Sequence, residues 1–338
     1  MAPVRKTFAV VVLICSGVWW GSEAQRCPAT WGYGVEQERE WSCWFMCDEG
    51  YTQSPIAIGT KGGWVNDPYL NRAVTADIPP LTGTFYDERN TPFRFNITNN
   101  NHTVKVQLIG GEKLYLEGGR LQDRYYLDHL SFTWGATNDE GSEHAYGYGR
   151  HAMEAQWALI SEEYSNYEEA AGRYWGVMKI GRVMKLAEED NPSLAPIVAA
   201  LASVRQPGET ASPEEPIIYN NLFSDAVDDY YAYNGSLTTP PCSEPVEWLV
   251  YFFQEGVSKS QLAEFRKLQT TNGPMVNNFR QLRRKLDRGL VLHPSCTHGP
   301  CDSRSGTGRQ HAGGRRATTQ SGRHGASRTH GAARRSKH

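Results

Sequence analysis

The sequence predicts a β-rich α+β domain. Several segments are enriched in β-branched and aromatic residues, which favour strands: residues 103–108, 113–116, 153–160, 178–186 and 247–253. Two short segments have the apolar spacing of a helix: residues 194–201, after Asn191-Pro192-Ser193, and residues 258–268. With 338 residues, of which 39% are apolar, the chain is long enough to bury a substantial core.

The first 24 residues have the composition of a secretory signal. Arg5 and Lys6 precede an apolar run over residues 8–20, and Ser22-Glu23-Ala24 is a suitable cleavage site. The apolar run is shorter than the roughly 20 residues that span a bilayer. We therefore expect a cleaved signal over residues 1–24, a secreted and extracellular protein, and no membrane span.

The chain divides into an acidic body and a basic tail. All 37 acidic residues lie before Ser303, whereas the last 36 residues contain nine of the 35 basic ones. Residues 296–338 are rich in Gly, Arg, His and Ser without apolar periodicity, which predicts disorder. The tail is either a solubilising extension or an arm that binds polyanions, such as acidic glycans, a matrix protein or a mineral surface. We expect no nucleic-acid partner.

The central stretch, residues 125–135, predicts a strand that carries polar side chains on one face. Alternate side chains of a strand share a face, so His129, Ser131 and Thr133 should project together. Leu130 and Phe132 should point to the other side.

This stretch and four other motifs resemble the α-carbonic anhydrases. Within the stretch the resemblance rests on Trp134-Gly135. The four other motifs are Gln53-Ser54-Pro55-Ile56, Gly141-Ser142-Glu143-His144, Tyr233-Asn234-Gly235-Ser236-Leu237-Thr238-Thr239-Pro240-Pro241-Cys242 and Met275-Val276-Asn277-Asn278-Phe279-Arg280. The resemblance covers residues 31–292. It implies the fold of that family over residues 25–295: a large, twisted, mainly antiparallel sheet with short peripheral helices.

The same resemblance implies that the metal ligands are missing. Family members hold a catalytic zinc with three histidines, and those positions are Ser131, Thr133 and Gln156 here. Neutral hydroxyls and an amide do not replace imidazoles around zinc, so we expect no zinc, no other cofactor and no hydration of carbon dioxide. The expected protein is a zinc-free carbonic anhydrase-related protein that acts by binding. Two alternatives remain: an active zinc enzyme with a site rebuilt from His129 and His144, and a biomineral matrix component.

Other residues match positions that are catalytic in active family members. Thr238 and Glu143 match a hydrogen-bonded pair that orients the zinc-bound hydroxide, with Thr239 beside it. His102 matches the proton-shuttle position. Without zinc we expect all four to be vestigial, with Thr238 and Glu143 still joined by a buried hydrogen bond.

The apolar carbon dioxide pocket of the family is also altered. The resemblance aligns Lys179 and Ala158 with valines that line the pocket, and Lys105 adds a second positive charge on the cavity side. Lys179 then lies either in the cavity or out in solvent. His129 is expected on the cavity face as well.

Cysteines and sequons agree with a secreted chain. Loss of Cys15 with the signal leaves six cysteines, an even number that favours disulfides over a metal clip at Cys43 and Cys47. The family resemblance implies a Cys47–Cys242 disulfide, and the expected remaining pairs are Cys27 with Cys43 and Cys296 with Cys301. The expected glycosylation sites are Asn96, Asn101 and Asn234.

Overall fold

A computed structural model describes most of the chain between Cys27 and His293. The described residues are 27, 31–59, 70–75, 79–88, 90–147, 149–218, 230–251, 255–284 and 289–293. The predicted signal, the basic tail and the Cys296–Cys301 pair lie outside these residues.

Strands dominate the described residues. In chain order they are β1 Ala57–Gly59, β2 Leu70–Thr75, β3 Leu81–Thr82, β4 Arg94–Asn99, β5 Val104–Ile109, β6 Tyr115–Gly118, β7 Tyr125–Trp134, β8 Ala145–Tyr146, β9 Met153–Ser161, β10 Val177–Ala187, β11 Thr210–Ala211, β12 Tyr230–Gly235, β13 Val246–Tyr251, β14 Glu255–Ser258, β15 Gln269–Thr270, β16 Gly273–Pro274 and β17 Leu290–His293. The five predicted strands correspond to β5, β6, β9, β10 and β13, and the predicted and observed ends differ by at most two residues. Residues 252–254, at the end of the last predicted strand, are outside the described part.

Helices are short and lie around the sheet. They are α1 Val35–Arg39, α2 Phe45–Glu49, α3 Thr84–Asp87, α4 Tyr167–Ala171, α5 Ala195–Ala200 and α6 Lys259–Phe265, with 3-10 turns at Glu40–Cys43 and Leu201–Ser203. The helix predicted for residues 258–268 is shorter. Ser258 caps it through a capping box with Gln261. The helix ends at Phe265, and four residues later the backbone N–H of Gln269 donates to the backbone carbonyl of Arg205.

Fifteen of the described strands form one mixed sheet. Its main path runs β11-β4-β5-β7-β9-β10-β13-β12-β17-β2-β1-β8. Most neighbours are antiparallel, and β10 is parallel to both β13 and β14. The expected large, mainly antiparallel sheet with short peripheral helices is confirmed.

The two faces of the central strands have different environments. Ala155, Trp157 and Leu159 of β9 belong to the main apolar core with Phe132 of β7. The opposite face carries polar side chains at its centre, with a smaller apolar cluster around Trp248 of β13 to one side. The strand residues that line the candidate site, His129, Ser131, Thr133, Gln156 and Lys179, lie on this second face.

No helix in the described residues is both long enough and apolar enough to cross a membrane.

Candidate functional site

A cavity of 290 Å³ opens on the polar face of the sheet. Its wall contains the three β7 side chains that the sequence places on one face: His129, Ser131 and Thr133. All three are buried, and the register of β7 against β9 sets Ser131 opposite Gln156. The cavity therefore lies where the resemblance places the metal site.

A β-bulge at Asp128 decides which residues of β7 face the cavity. Leu127 pairs with Leu159, but His129 pairs with the adjacent residue Ala158, so Asp128 is the extra residue. Leu127 consequently packs against the main core although it is two residues from His129. The sequence carries a signal of this bulge, because the apolar spacing lengthens to three residues between Leu127 and Leu130.

Gln156 connects a buried cation with two buried carboxylates. Its Nε2 donates to Glu143 Oε2 at 2.7 Å and to Glu154 Oε1 at 3.0 Å. Its Oε1 accepts a hydrogen bond of 2.8 Å from Nζ of Lys179. Both ends of the amide are thus engaged, and the position of the third metal ligand is held by a charged hydrogen-bond network.

Lys179 lines the cavity and does not reach solvent. Its register partners are Ala158 on β9 and Trp248 on β13, and its side chain is 6% exposed. Nζ lies 5.1 Å from the centre of the Trp248 ring, within the range of a cation–π contact. Burial lowers the pKa of Lys179, while the negative charges of Glu143 and Glu154 oppose that shift.

A second cationic group lies at the bulge. Lys105 Nζ is 3.2 Å from Asp128 Oδ2, which also bonds to His129 Nδ1 at 2.6 Å. Burial acts to raise the pKa of Asp128, but these two partners outweigh it and the net shift is downward. Burial lowers the pKa of His129, with Asp128 acting in the opposite direction. Asp128 thus neutralises Lys105 and orients His129.

The expected hydrogen bond between Thr238 and Glu143 is not found. Glu143 is buried, and its Oε1 accepts a hydrogen bond of 3.1 Å from the backbone N–H of Arg280 while Gln156 occupies Oε2. In the described part of the chain no hydrogen bond joins the two side chains, so this expectation is wrong. The Gln156 amide and the backbone of Arg280 are the donors to Glu143 instead. Thr238 and Thr239 still line the cavity.

His144 is not among the residues that line the cavity, and it joins the Gln156 network through Glu154. Its Nδ1 is 2.9 Å from Glu154 Oε1 and its Nε2 is 2.7 Å from the Tyr233 hydroxyl. Burial acts to raise the pKa of Glu154, but His144 and Gln156 outweigh it and lower the pKa. Both ring nitrogens of His144 are occupied, and the structure does not bring His144 and His129 together at one site.

Aromatic residues surround the entrance. The Trp31 ring stacks on His102 with centroids 3.8 Å apart and planes at 3°. Both rings are half-buried, so His102 is not the exposed surface histidine that its Asn-rich turn indicates, and burial lowers its pKa. Tyr33 and Tyr167 also line the cavity. Sequence reasoning treated Trp31 and Tyr33 as packing residues and did not identify Tyr167 or Asp128.

The donors in the cavity do not fit a catalytic zinc. Zinc sites in proteins use thiolate, imidazole and carboxylate ligands, whereas Ser131 and Thr133 offer neutral hydroxyls. Gln156 already accepts from the Lys179 ammonium, which would repel a neighbouring dication. Among the described residues, no group of three or more His, Cys, Asp or Glu side chains is arranged to hold a metal.

Two disulfides constrain the N-terminal segment, one within the segment and one to the loop after β12. Cys47 is bonded to Cys242, across a sequence separation of 195 residues, and Cys27 is bonded to Cys43. These are the pairs that the sequence predicts.

The three sequons lie in different settings. Asn96 accepts a hydrogen bond from Ser212, and Asn101 accepts one from the backbone of Thr271. Asn234 lies at the end of β12, and its side chain accepts from Arg120. Their glycosylation stays a prediction.

The chain was compared with known proteins. The model of the eukaryotic-type carbonic anhydrase family matches residues 36–293. The chain is 31% identical to carbonic anhydrase 6 of Mus musculus over 82% of this chain and 83% of that protein. It is 29% and 28% identical to receptor-type tyrosine-protein phosphatase zeta of Rattus norvegicus and Homo sapiens, over 76% of this chain but 11% of each receptor. The family match extends from α1 to β17, and the chain belongs to the eukaryotic-type carbonic anhydrase family.

Proposed function

We propose that this chain is a zinc-free carbonic anhydrase-related protein that acts by binding and does not hydrate carbon dioxide. The observation that carries the proposal is the hydrogen bond from Lys179 to Gln156. It puts an ammonium group next to the position from which family members bind their metal.

The chemistry of hydration supports this proposal. In zinc enzymes the metal lowers the pKa of a bound water from 15.7 to about 7, which supplies hydroxide at neutral pH. Ser131 and Thr133, which line the cavity, offer neutral hydroxyls, and these are poor ligands for such a metal. The ammonium of Lys179 also makes the pocket less suitable for apolar carbon dioxide.

A rebuilt zinc site is the competing function. It would use His129 and His144, but Glu154 and Tyr233 occupy both nitrogens of His144. A histidine binds zinc through one ring nitrogen, so zinc binding there would require breaking one of these buried hydrogen bonds, at a cost of about 1–3 kcal/mol when the partner is left unsatisfied. The geometry therefore favours the zinc-free protein.

The setting of the protein is proposed from its sequence and cysteines. The N-terminal signal sequence and the disulfides at Cys47 and Cys27 favour secretion into an oxidising extracellular space. The basic tail is proposed to bind polyanions, such as acidic glycans, matrix proteins or mineral surfaces. Glycosylation and a role in an extracellular or mineralised matrix are part of this proposal.

The test is the zinc content and activity of the secreted, full-length protein. Cells are grown with added zinc, and the purified protein is analysed for metal by mass spectrometry and for carbon dioxide hydration by stopped flow. We expect well under one zinc per chain and a rate equal to buffer, with mouse carbonic anhydrase 6 as the positive control. Stoichiometric zinc that a chelator removes together with activity would contradict the proposal and support the rebuilt site.

A further inference from the structure

The cavity contains a buried hydroxyl that lacks a partner. Thr133 is 7% exposed and lines the cavity, and its Oγ1 forms no hydrogen bond to any described residue. An unsatisfied buried hydroxyl destabilises the fold, so such groups are uncommon without a ligand or water to bind. Thr133 therefore marks a position where a bound acceptor would be stabilised.

Lys179 supplies a charged donor to the same cavity. An ammonium has three N–H donors, and within the described residues Nζ makes one hydrogen bond, to Gln156, besides its contact with the Trp248 ring. Lys105 is different because Asp128 already neutralises it. Lys179 is thus the cation with donor capacity left for an anion.

The carboxylates near Lys179 do not prevent an anion from binding. Glu143 lines the cavity, but one oxygen is held by Gln156 and the other by the backbone of Arg280. Glu154 is fully buried and bonded to His144 and Gln156. The oxygens of both carboxylates thus accept hydrogen bonds from protein groups, whereas Lys179 and Thr133 keep unused donors in the cavity wall.

The composition of the cavity changes with depth. Thr133, Gln156 and Lys179 are buried at its floor, whereas Trp31 and Tyr167 are half-buried towards the entrance. The Tyr167 ring meets His129 edge-on at 4.9 Å. Polar donors at the floor and aromatic rings above them match a ligand with an anionic end and a flat apolar body.

We propose that this cavity binds a small aromatic carboxylate, whose oxygens accept hydrogen bonds from Lys179 and Thr133 while its ring lies against Trp31, Tyr33 and Tyr167. The inference rests on the proposed zinc-free state, because a metal would compete with Lys179 for the carboxylate. A volume of 290 Å³ is at the lower end of the 300–1,000 Å³ typical of ligand pockets, so a single ring is the appropriate size. A single cation with N–H donors to spare favours a monoanion over a phosphate dianion.

Benzoate is the probe for the test. Full-length protein is treated with chelator, its residual zinc is measured, and benzoate is titrated by calorimetry. We expect saturable 1:1 binding, with acetate weaker because it lacks the ring and benzamide weaker because it lacks the charge. Lys179→Met should weaken benzoate binding by at least about tenfold and Thr133→Val by about fivefold or more, because hydrogen bonds to a charged acceptor are stronger than those between neutral groups.

Lys185→Met is the matched control. Lys185 lies on the same strand as Lys179 but is exposed, so its loss should leave benzoate affinity unchanged. Circular dichroism and urea unfolding verify the fold of each variant. If Lys179→Met does not fold, the affinity of Thr133→Val for benzoate and the comparison of benzoate with benzamide test the proposed carboxylate site.

The outcomes separate this inference from the proposed function. Absence of saturable benzoate binding to zinc-free protein, or equal affinity in wild type, Lys179→Met and Thr133→Val, would overturn the inference and leave the zinc-free proposal intact. Stoichiometric zinc before chelation would overturn the proposed function. Benzoate binding that persists after chelation and still depends on Lys179 would support the carboxylate site in either case.

Discussion

The Nζ atom of Lys179 lies 2.8 Å from Oε1 of Gln156, which joins a substituted pocket residue to a substituted metal-ligand position. The two replacements complement each other. The amide presents its oxygen to the ammonium and its nitrogen to Glu143 and Glu154, so each charge is hydrogen-bonded in a buried environment. Restoring the histidine alone would leave the Lys179 ammonium without this acceptor, and restoring the valine alone would leave the Gln156 oxygen without this donor.

The first prediction concerns restoration of the metal site. Ser131→His, Thr133→His and Gln156→His together should restore only weak zinc binding, because the change at Gln156 removes the acceptor of Lys179 and leaves its ammonium beside the metal. Repulsion between unit charges 4 Å apart is about 4 kcal/mol at an effective dielectric constant of 20. Adding Lys179→Val should increase zinc affinity by at least about tenfold, equivalent to 1.4 kcal/mol.

Competition with a chromophoric chelator measures these zinc affinities. The triple-histidine protein with Lys185→Val serves as the control, since Lys185 is exposed. Equal affinity with and without Lys179 would show that its charge does not affect the metal position. Absence of zinc binding in both variants would mean that the groups around the ligands no longer support a metal.

The second prediction concerns stability and pH at Glu247. Burial raises the pKa of this carboxyl to about 7 despite Arg120 Nε at 3.3 Å, and its Oε1 has no hydrogen-bond partner among the described residues. Because the folded pKa exceeds the unfolded value of 4.5, the stabilisation is fully present below pH 4.5 and is lost as the pH rises through about 7. Glu247→Gln removes the ionisation.

Urea unfolding between pH 5 and pH 8 tests this prediction. As the pH rises, wild type loses this stabilisation whereas Glu247→Gln does not. The free energy of unfolding of Glu247→Gln minus that of wild type should therefore increase by about 3 kcal/mol at most, since one pKa unit corresponds to 1.36 kcal/mol. Glu188→Gln, at an exposed position, is the control. A constant difference across this range would contradict the raised pKa.

The third prediction compares the two disulfides. In the chain-entropy model the stabilisation grows with the length of the closed loop. Replacing Cys47 and Cys242 by Ser should lower the free energy of unfolding by about 5 kcal/mol, because their sequence separation is 195. Replacing Cys27 and Cys43, which are separated by 16 residues, should cost about 3 kcal/mol. Urea unfolding of both double variants measures the difference, and a reversed order would contradict the loop-length argument.

The fourth prediction concerns the basic tail. Ending the chain after Asp302 removes nine positive charges and leaves all 37 acidic residues, so retention on heparin should fall and depend less on salt. A control that keeps the full length but replaces the nine basic tail residues by Gln distinguishes charge from chain length. Equal elution of all three proteins would leave the tail as a solubilising extension.

Local patterns in the sequence were sufficient for much of the site. The alternation of a strand places His129, Ser131 and Thr133 on one face, as the structure has them. The motif resemblance also identifies Gln156 as the third altered position, because ligand identity depends only on which residue occupies a known place in a strand. These are one-dimensional properties: side-chain period, motif spacing and charge distribution along the chain.

Contacts between distant residues were decided by the tertiary structure. The direction of Lys179 was open in the sequence, and burial opposite Trp248 together with the Gln156 amide turns it into the cavity. The expected Thr238–Glu143 hydrogen bond is absent from the described residues, and Gln156 is a donor to Glu143 instead. The sequence by itself determined the family fold and predicted the loss of three imidazoles. Strand register and packing determined which charges those replacements meet, because such pairings join residues far apart in the chain and depend on geometry that local patterns do not contain.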